Sequence, residues 1–98
     1  MNFQIYAKNL ALSDETKNYL EEKMQKLGLR AKKMISARLD ISRDRHHRKG
    51  NVLRVEINLS LPHKLLRAVA QEEQVESSFD LALKKLNKQI EKYKEFDR

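Results

Sequence analysis

Lys84, Lys88 and Lys92 recur every fourth residue, a spacing that places all of them on one face of a helix. Ammonium groups on successive turns stand roughly 6 Å apart, close to the spacing of phosphates along a nucleic-acid strand. The chemistry such a row offers is neutralisation of phosphate charge, not bond making. Lys85 flanks the row. Earlier in the chain Tyr19, Lys23, Lys26 and Arg30 follow one another at helical intervals and form a second basic face. The densest basic run is Arg43-Asp44-Arg45-His46-His47-Arg48-Lys49, closed by Gly50. A loop of that composition suits a phosphate backbone or an RNA groove, with Arg45, Arg48 and Lys49 as its contacts. The acidic residues Glu21, Glu22, Glu91 and Glu95 fall away from these rows, and segregated charge gives a stronger local field than mixed charge. Tyr6 and Tyr19 are candidates to stack on bases. No paired aromatics on adjacent strands mark a stacking platform, so recognition is expected to rest on backbone and shape.

Other chemistries find no support. The chain has no cysteine, which removes disulfides, thiolate nucleophiles and cysteine zinc sites. His46 and His47 are neighbours, so on an extended loop they point apart, and Asp44 is the one carboxylate nearby; no metal site is expected. Phosphate loops, dinucleotide fingerprints, G-x-S-x-G and H-E-x-x-H are all missing. The serines fall at a cap, on polar strand faces or near the start of the last helix. We therefore expect no catalytic residue, no cofactor and no small-molecule substrate. A formal net charge of +7 and a charged fraction of 36%, against about 25% in ordinary domains, point to a polyanionic partner. No stretch has the pattern of a signal peptide or the length of a membrane span, so a soluble, cytoplasmic protein without membrane contact is expected.

The basic residues need a scaffold, and periodicity supplies it. Residues 2–8 alternate, with Phe3, Ile5 and Ala7 on one side. Ser13 reads as a helix N-cap, with Asp14 and Glu15 in the first turn, and Leu20, Met24 and Leu27 as the buried stripe. Gly28 reads as the stop. A second strand is expected over 34–43, with Ile35, Ala37, Leu39 and Ile41 facing one way. A third is expected over 51–61, carrying Leu53, Val55, Ile57, Leu59 and Leu61 on one face and ending at Pro62, with His63 exposed in the turn. Leu66, Ala68 and Ala70 mark a fourth strand. Phe79, Ala82, Leu83, Leu86, Ile90 and Tyr93 form the stripe of a helix over 75–94. The order β-α-β-β-β-α, with one apolar face per strand, predicts an α+β two-layer sandwich: a four-stranded sheet with two helices on one face. The first connection is long enough for a right-handed parallel crossover, and the remaining strands should form an antiparallel meander. The two lysine rows would then flank one groove.

Several motifs in this order resemble the ribosome hibernation promoting factor family, also known as ribosome-associated inhibitors and sigma-54 modulation proteins. They are Leu12-Ser13-Asp14-Glu15-Thr16 ahead of Tyr19-Leu20, then Glu22-Lys23-Met24-Gln25-Lys26-Leu27, and Leu66-Arg67-Ala68. The last helix adds Phe79-Asp80-Leu81-Ala82, Lys85-Leu86, Gln89-Ile90 and Lys92-Tyr93-Lys94. The resemblance covers nearly the whole chain. It implies a fold similar to double-stranded RNA-binding domains and binding to ribosomal RNA in the channel of the small subunit, over the tRNA and mRNA sites. Lys23, Lys26, Lys85 and Lys92 match recurrent basic positions of the family, and Lys88 falls where a basic residue is common. Lys84 rests on the charge pattern alone. The family often has Asp-Met-Tyr where this chain has Gln74-Val75-Glu76. The length matches the short, hibernation-promoting type, a single ribosome-binding domain over 1–98, monomeric off the ribosome, silencing translation and favouring inactive ribosome dimers. The competing expectations are a protein-interaction modulator of sigma-54-dependent transcription and a general binder of double-stranded RNA.

Overall fold

In a computed structural model, which describes residues 2–31, 33–44 and 52–96, the chain runs β1 (Phe3–Lys8), α1 (Asp14–Arg30), β2 (Ser36–Asp44), β3 (Val52–Leu61), β4 (Lys64–Glu72) and α2 (Val75–Phe96). The strands form one sheet in the order β1-β2-β3-β4. β1 pairs parallel with β2, Phe3 opposite Ala37 and Lys8 opposite Ser42, so α1 is the crossover between them. β2, β3 and β4 form an antiparallel meander in which Leu39 faces Ile57 and Ile57 faces Ala68. That register brings the apolar members of every strand to the same side, because side chains alternate with a period of two. Both helices cover that side. Leu20, Met24 and Leu27 of α1 and Phe79, Ala82, Leu86 and Ile90 of α2 join the inward residues of β2, β3 and β4 in one core. The α+β two-layer sandwich read from periodicity is the observed architecture.

Local chemistry explains most of the boundaries. Ser13 accepts a hydrogen bond from the Thr16 amide at 3.1 Å, capping α1 as its sequence predicts. The β3–β4 turn places Pro62 and His63 between the paired residues Leu61 and Lys64. His63 is exposed and has a φ of 64°, the left-handed region that the third position of a type II turn takes, with Pro62 suited to the second. Ser78 is fully buried near the start of α2. Its hydroxyl lies 2.7 Å from the Gln74 carbonyl and 2.8 Å from that of Leu53, so one side chain joins the helix to β3.

Two boundary expectations are corrected. α1 does not stop at Gly28 but runs through it to Arg30, and the Ala31 amide closes the helix on the Leu27 carbonyl at 2.8 Å. Tertiary contacts hold this last turn: Ala31 is buried, and Lys94 of α2 donates to the Arg30 backbone carbonyl. Ile35 does not join the inward face of β2, which starts at Ser36; its side chain is 60% exposed. Its backbone amide already bonds to the Ser60 carbonyl at 2.8 Å, so the backbone runs beside β3 here while the side chain stays uncovered. Ala7 is likewise exposed, near the end of β1.

Candidate nucleic-acid interface

The two helices run parallel, and a ladder of polar contacts with a near-constant sequence offset sets their register. Thr16 donates to Glu76 at 3.4 Å, the Tyr19 hydroxyl to Asp80 at 2.6 Å, and Arg30 to Glu91 at 2.7 Å. Lys94 closes the ladder, donating to the Arg30 carbonyl at 2.9 Å. The Tyr19 ring also meets Phe79 edge-on at 6.4 Å, and the Lys23 ammonium lies 5.6 Å from the Tyr19 ring centre. The hydrogen bond to Asp80, then burial, then the charges of Asp80 and Glu76, push the Tyr19 phenol up to about 12. Tyr19 is therefore a latch between helices and not a free base-stacking ring. Tyr6 is also engaged: on the open sheet face its ring carries the Arg38 guanidinium at 4.4 Å, and Arg38 in turn holds Asp40 through two hydrogen bonds of 3.0 and 3.1 Å.

This register decides what the basic rows look like. Lys23, Lys26 and Arg30 line a shallow groove whose other wall is Leu83 and Asn87 of α2. Buried in this region, the Asn87 side-chain oxygen has no hydrogen-bond partner among the described residues. Charges here are not segregated as the linear sequence implies. Lys26 pairs with Glu22 one turn away at 3.4 Å, and Arg30 pairs with Glu91, a residue distant in sequence that the parallel packing brings opposite it. Both pairs are exposed, so each holds its cation loosely.

On α2 the row keeps together and its flanking lysine departs from it. Lys84, Lys88 and Lys92 are exposed and have no ion-pair or hydrogen-bond partner among the described residues. Lys85 instead bends toward the sheet and donates to the Val69 carbonyl at 3.0 Å, and Gln89, one turn on, donates to the Arg67 carbonyl at 2.8 Å. These two side chains cover backbone acceptors of β4, an edge strand whose exposed carbonyls would otherwise offer a pairing site. Arg45, Arg48 and Lys49 lie outside the described residues. Arg43 belongs to β2, opposite Leu53, and is half-buried. Sequence reasoning missed Lys33, Lys64 and Lys94, which stand near Tyr93 at the end of the helical layer. Isolated lysines outside a helical row carry no periodic signal, so only the fold reveals their grouping. Among the described residues no cluster of histidine and carboxylate groups could hold a metal ion. No described helix is long and apolar enough to cross a membrane.

A family profile described as sigma 54 modulation protein / S30EA ribosomal protein matches residues 3–98. The chain belongs to that family. A relative from Staphylococcus aureus (strain COL), named ribosome hibernation promotion factor, is 28% identical over 94 residues. The match covers 96% of this chain and 48% of the relative, so the chain spans about half that protein's length. Among solved structures, a ribosomal subunit interface protein from Coxiella burnetii superposes with a TM-score of 0.83 at 20% identity, covering 96% of this chain and 98% of its own. The N-terminal domain of Thermus thermophilus Protein Y superposes with a TM-score of 0.75 at 23% identity, covering 95% of this chain and 99% of its own. At these identities both structures speak for the fold, and the fold they share with this family member is the sandwich described above.

Proposed function

We propose that this protein is a ribosome-associated factor that silences translation by occupancy. It acts as one ribosome-binding domain, monomeric off the ribosome and cytoplasmic. It docks on ribosomal RNA of the small subunit, in the channel that tRNA and mRNA would use, and favours inactive ribosome dimers. The contact surface is the outward row Lys84, Lys88 and Lys92 together with the groove cations Lys23, Lys26 and Arg30. Arg45, Arg48 and Lys49 add further positive charge, and Lys85 adds its charge to the field while it caps the sheet edge. The observation that carries the reading is the lysine row on α2, which has no partner among the described residues, in a chain similar to a protein named as a hibernation factor.

The mechanism follows from electrostatics. Each lysine set against a phosphate releases condensed counterions, which drives binding without a demand for base sequence. The weak pairs Lys26–Glu22 and Arg30–Glu91 can exchange a carboxylate for a phosphate at small net expense, because exposed pairs contribute at most about 1 kcal/mol. No bond-making step is required, so the protein works as a plug and not as an enzyme.

Co-sedimentation with purified ribosomal subunits over a salt series tests this. The expected result is saturable binding near one per small subunit, with a log–log salt slope of roughly −4 to −7 for about 5–8 phosphates. Failure to co-sediment even at low salt overturns the reading and directs attention to RNA polymerase and its sigma factor. Equal affinity for isolated RNA duplexes would make it a general duplex binder.

A further inference from the structure

At the end of the sandwich, beneath the last turn of α2, lies a depression of about 400 Å³ that flat phosphate contacts do not explain. Its floor is apolar, formed by the buried residues Ala31, Leu61 and Ile90, and its wall is the half-buried ring of Tyr93. Its rim is cationic, with Arg30, Lys33 and Lys94 around the mouth. Lys94 is held in place by its hydrogen bond to the Arg30 carbonyl. The volume falls within the range of about 300–1,000 Å³ typical of small-molecule sites.

The depression is continuous with the candidate interface on both sides. Arg30 is shared with the groove between the helices that Lys23 and Lys26 line. Tyr93 is shared with a second hollow beside Lys64 and Lys92. A backbone tracking from the groove around the end of α2 would pass directly over this mouth. A phosphate by itself would engage the rim and leave the apolar floor empty. A group with an aromatic body and an anionic attachment fills both.

We propose that the depression receives one unstacked nucleotide of the bound RNA, its base lodged against Tyr93 over Leu61 and Ile90 and its phosphate held at the cationic rim. The inference rests on the RNA-binding reading above and adds to it a point of insertion. Unstacked bases are what proteins reach in structured RNA, and aromatic side chains are where such bases stack. Stacking tolerates any base because each has a π face, so the pocket fixes position more than sequence.

Two measurements decide the matter. In the first, isotope-labelled protein is titrated with the single strand r(A)6 and, separately, with an abasic strand of equal phosphate count. Ring-current shifts of the Leu61 and Ile90 methyls and of the Tyr93 ring with r(A)6, absent with the abasic strand, support insertion. Equal shifts with both strands, or none at the floor with either, overturn it. In the second, small-subunit affinity is compared for Tyr93→Leu, which keeps apolar bulk, and Tyr93→Phe, which keeps the ring. The leucine variant should bind roughly five- to a hundredfold more weakly and the phenylalanine variant like the parent. If the parent binds subunits and Tyr93→Leu binds equally well, the pocket proposal falls alone. If the parent ignores subunits while r(A)6 still moves the floor resonances, the ribosomal reading falls and the pocket stands.

Discussion

Replacing Lys84, Lys88 and Lys92 together by Gln removes ammonium groups that have no partner among the described residues, so the perturbation falls on binding and leaves folding alone. Gln and Lys have nearly equal helix propensity, and exposed substitutions of this kind change stability by no more than about 0.5 kcal/mol. Each phosphate contact contributes about 0.7–0.9 to the magnitude of the log–log salt slope, the lower figure for single strands. Losing all of these contacts should therefore flatten the slope by about 2–3. Between 1 M and 0.1 M salt that change corresponds to roughly a hundred- to five-hundredfold loss of affinity at the lower concentration, nearly all of which disappears at the higher. The assay is subunit co-sedimentation of parent and variant at matched salt, with circular dichroism and thermal unfolding to establish that the fold persists. A folded variant with an unchanged slope would refute the phosphate role of this face, whatever the absolute affinity. Lys85 is left in place because its loss would also uncover the Val69 carbonyl and mix a stability effect into the result.

The interhelical latch gives a pH prediction. The Tyr19 phenol is raised above its ordinary value of 10, to about 12, so the folded state favours the protonated, hydrogen-bonded form. Its stabilisation is fully present below pH 10 and is lost as pH rises toward 12. Urea midpoints of parent and Tyr19→Phe should differ most near neutrality and converge across that window; a constant difference would count against the latch. Gly28 sits inside α1 and not at its end, so Gly28→Ala should stabilise by about 0.5–1 kcal/mol in chemical denaturation, whereas destabilisation would mean that the helix ends there. Ser78→Ala removes the donor that serves the Gln74 and Leu53 carbonyls and should cost about 1–3 kcal/mol in the same assay, against no cost if the hydroxyl is idle.

The elements themselves were legible from local pattern. Alternation in residues 2–8, 34–43 and 51–61 and at Leu66, Ala68 and Ala70, the Ser13 cap and the apolar stripes of both helices located the four strands and two helices, because period and capping are properties of a few consecutive residues. The single apolar face on each strand was enough to predict a sandwich with both helices on one side. Pairings between residues far apart in the chain were not legible. Nothing near Arg30 announces Glu91, and nothing near Lys85 announces the Val69 carbonyl, which sets it apart from the row Lys84, Lys88 and Lys92 that it flanks. Gly28 shows the same limit: its intrinsic preference ends a helix, but a buried Ala31 and the Lys94 bond to the Arg30 carbonyl accompany α1 as it runs on to Arg30. Periodicity fixes which face of an element is buried. Which neighbour each side chain meets depends on how the parallel helices register across the sheet, and that register exists only in the folded molecule.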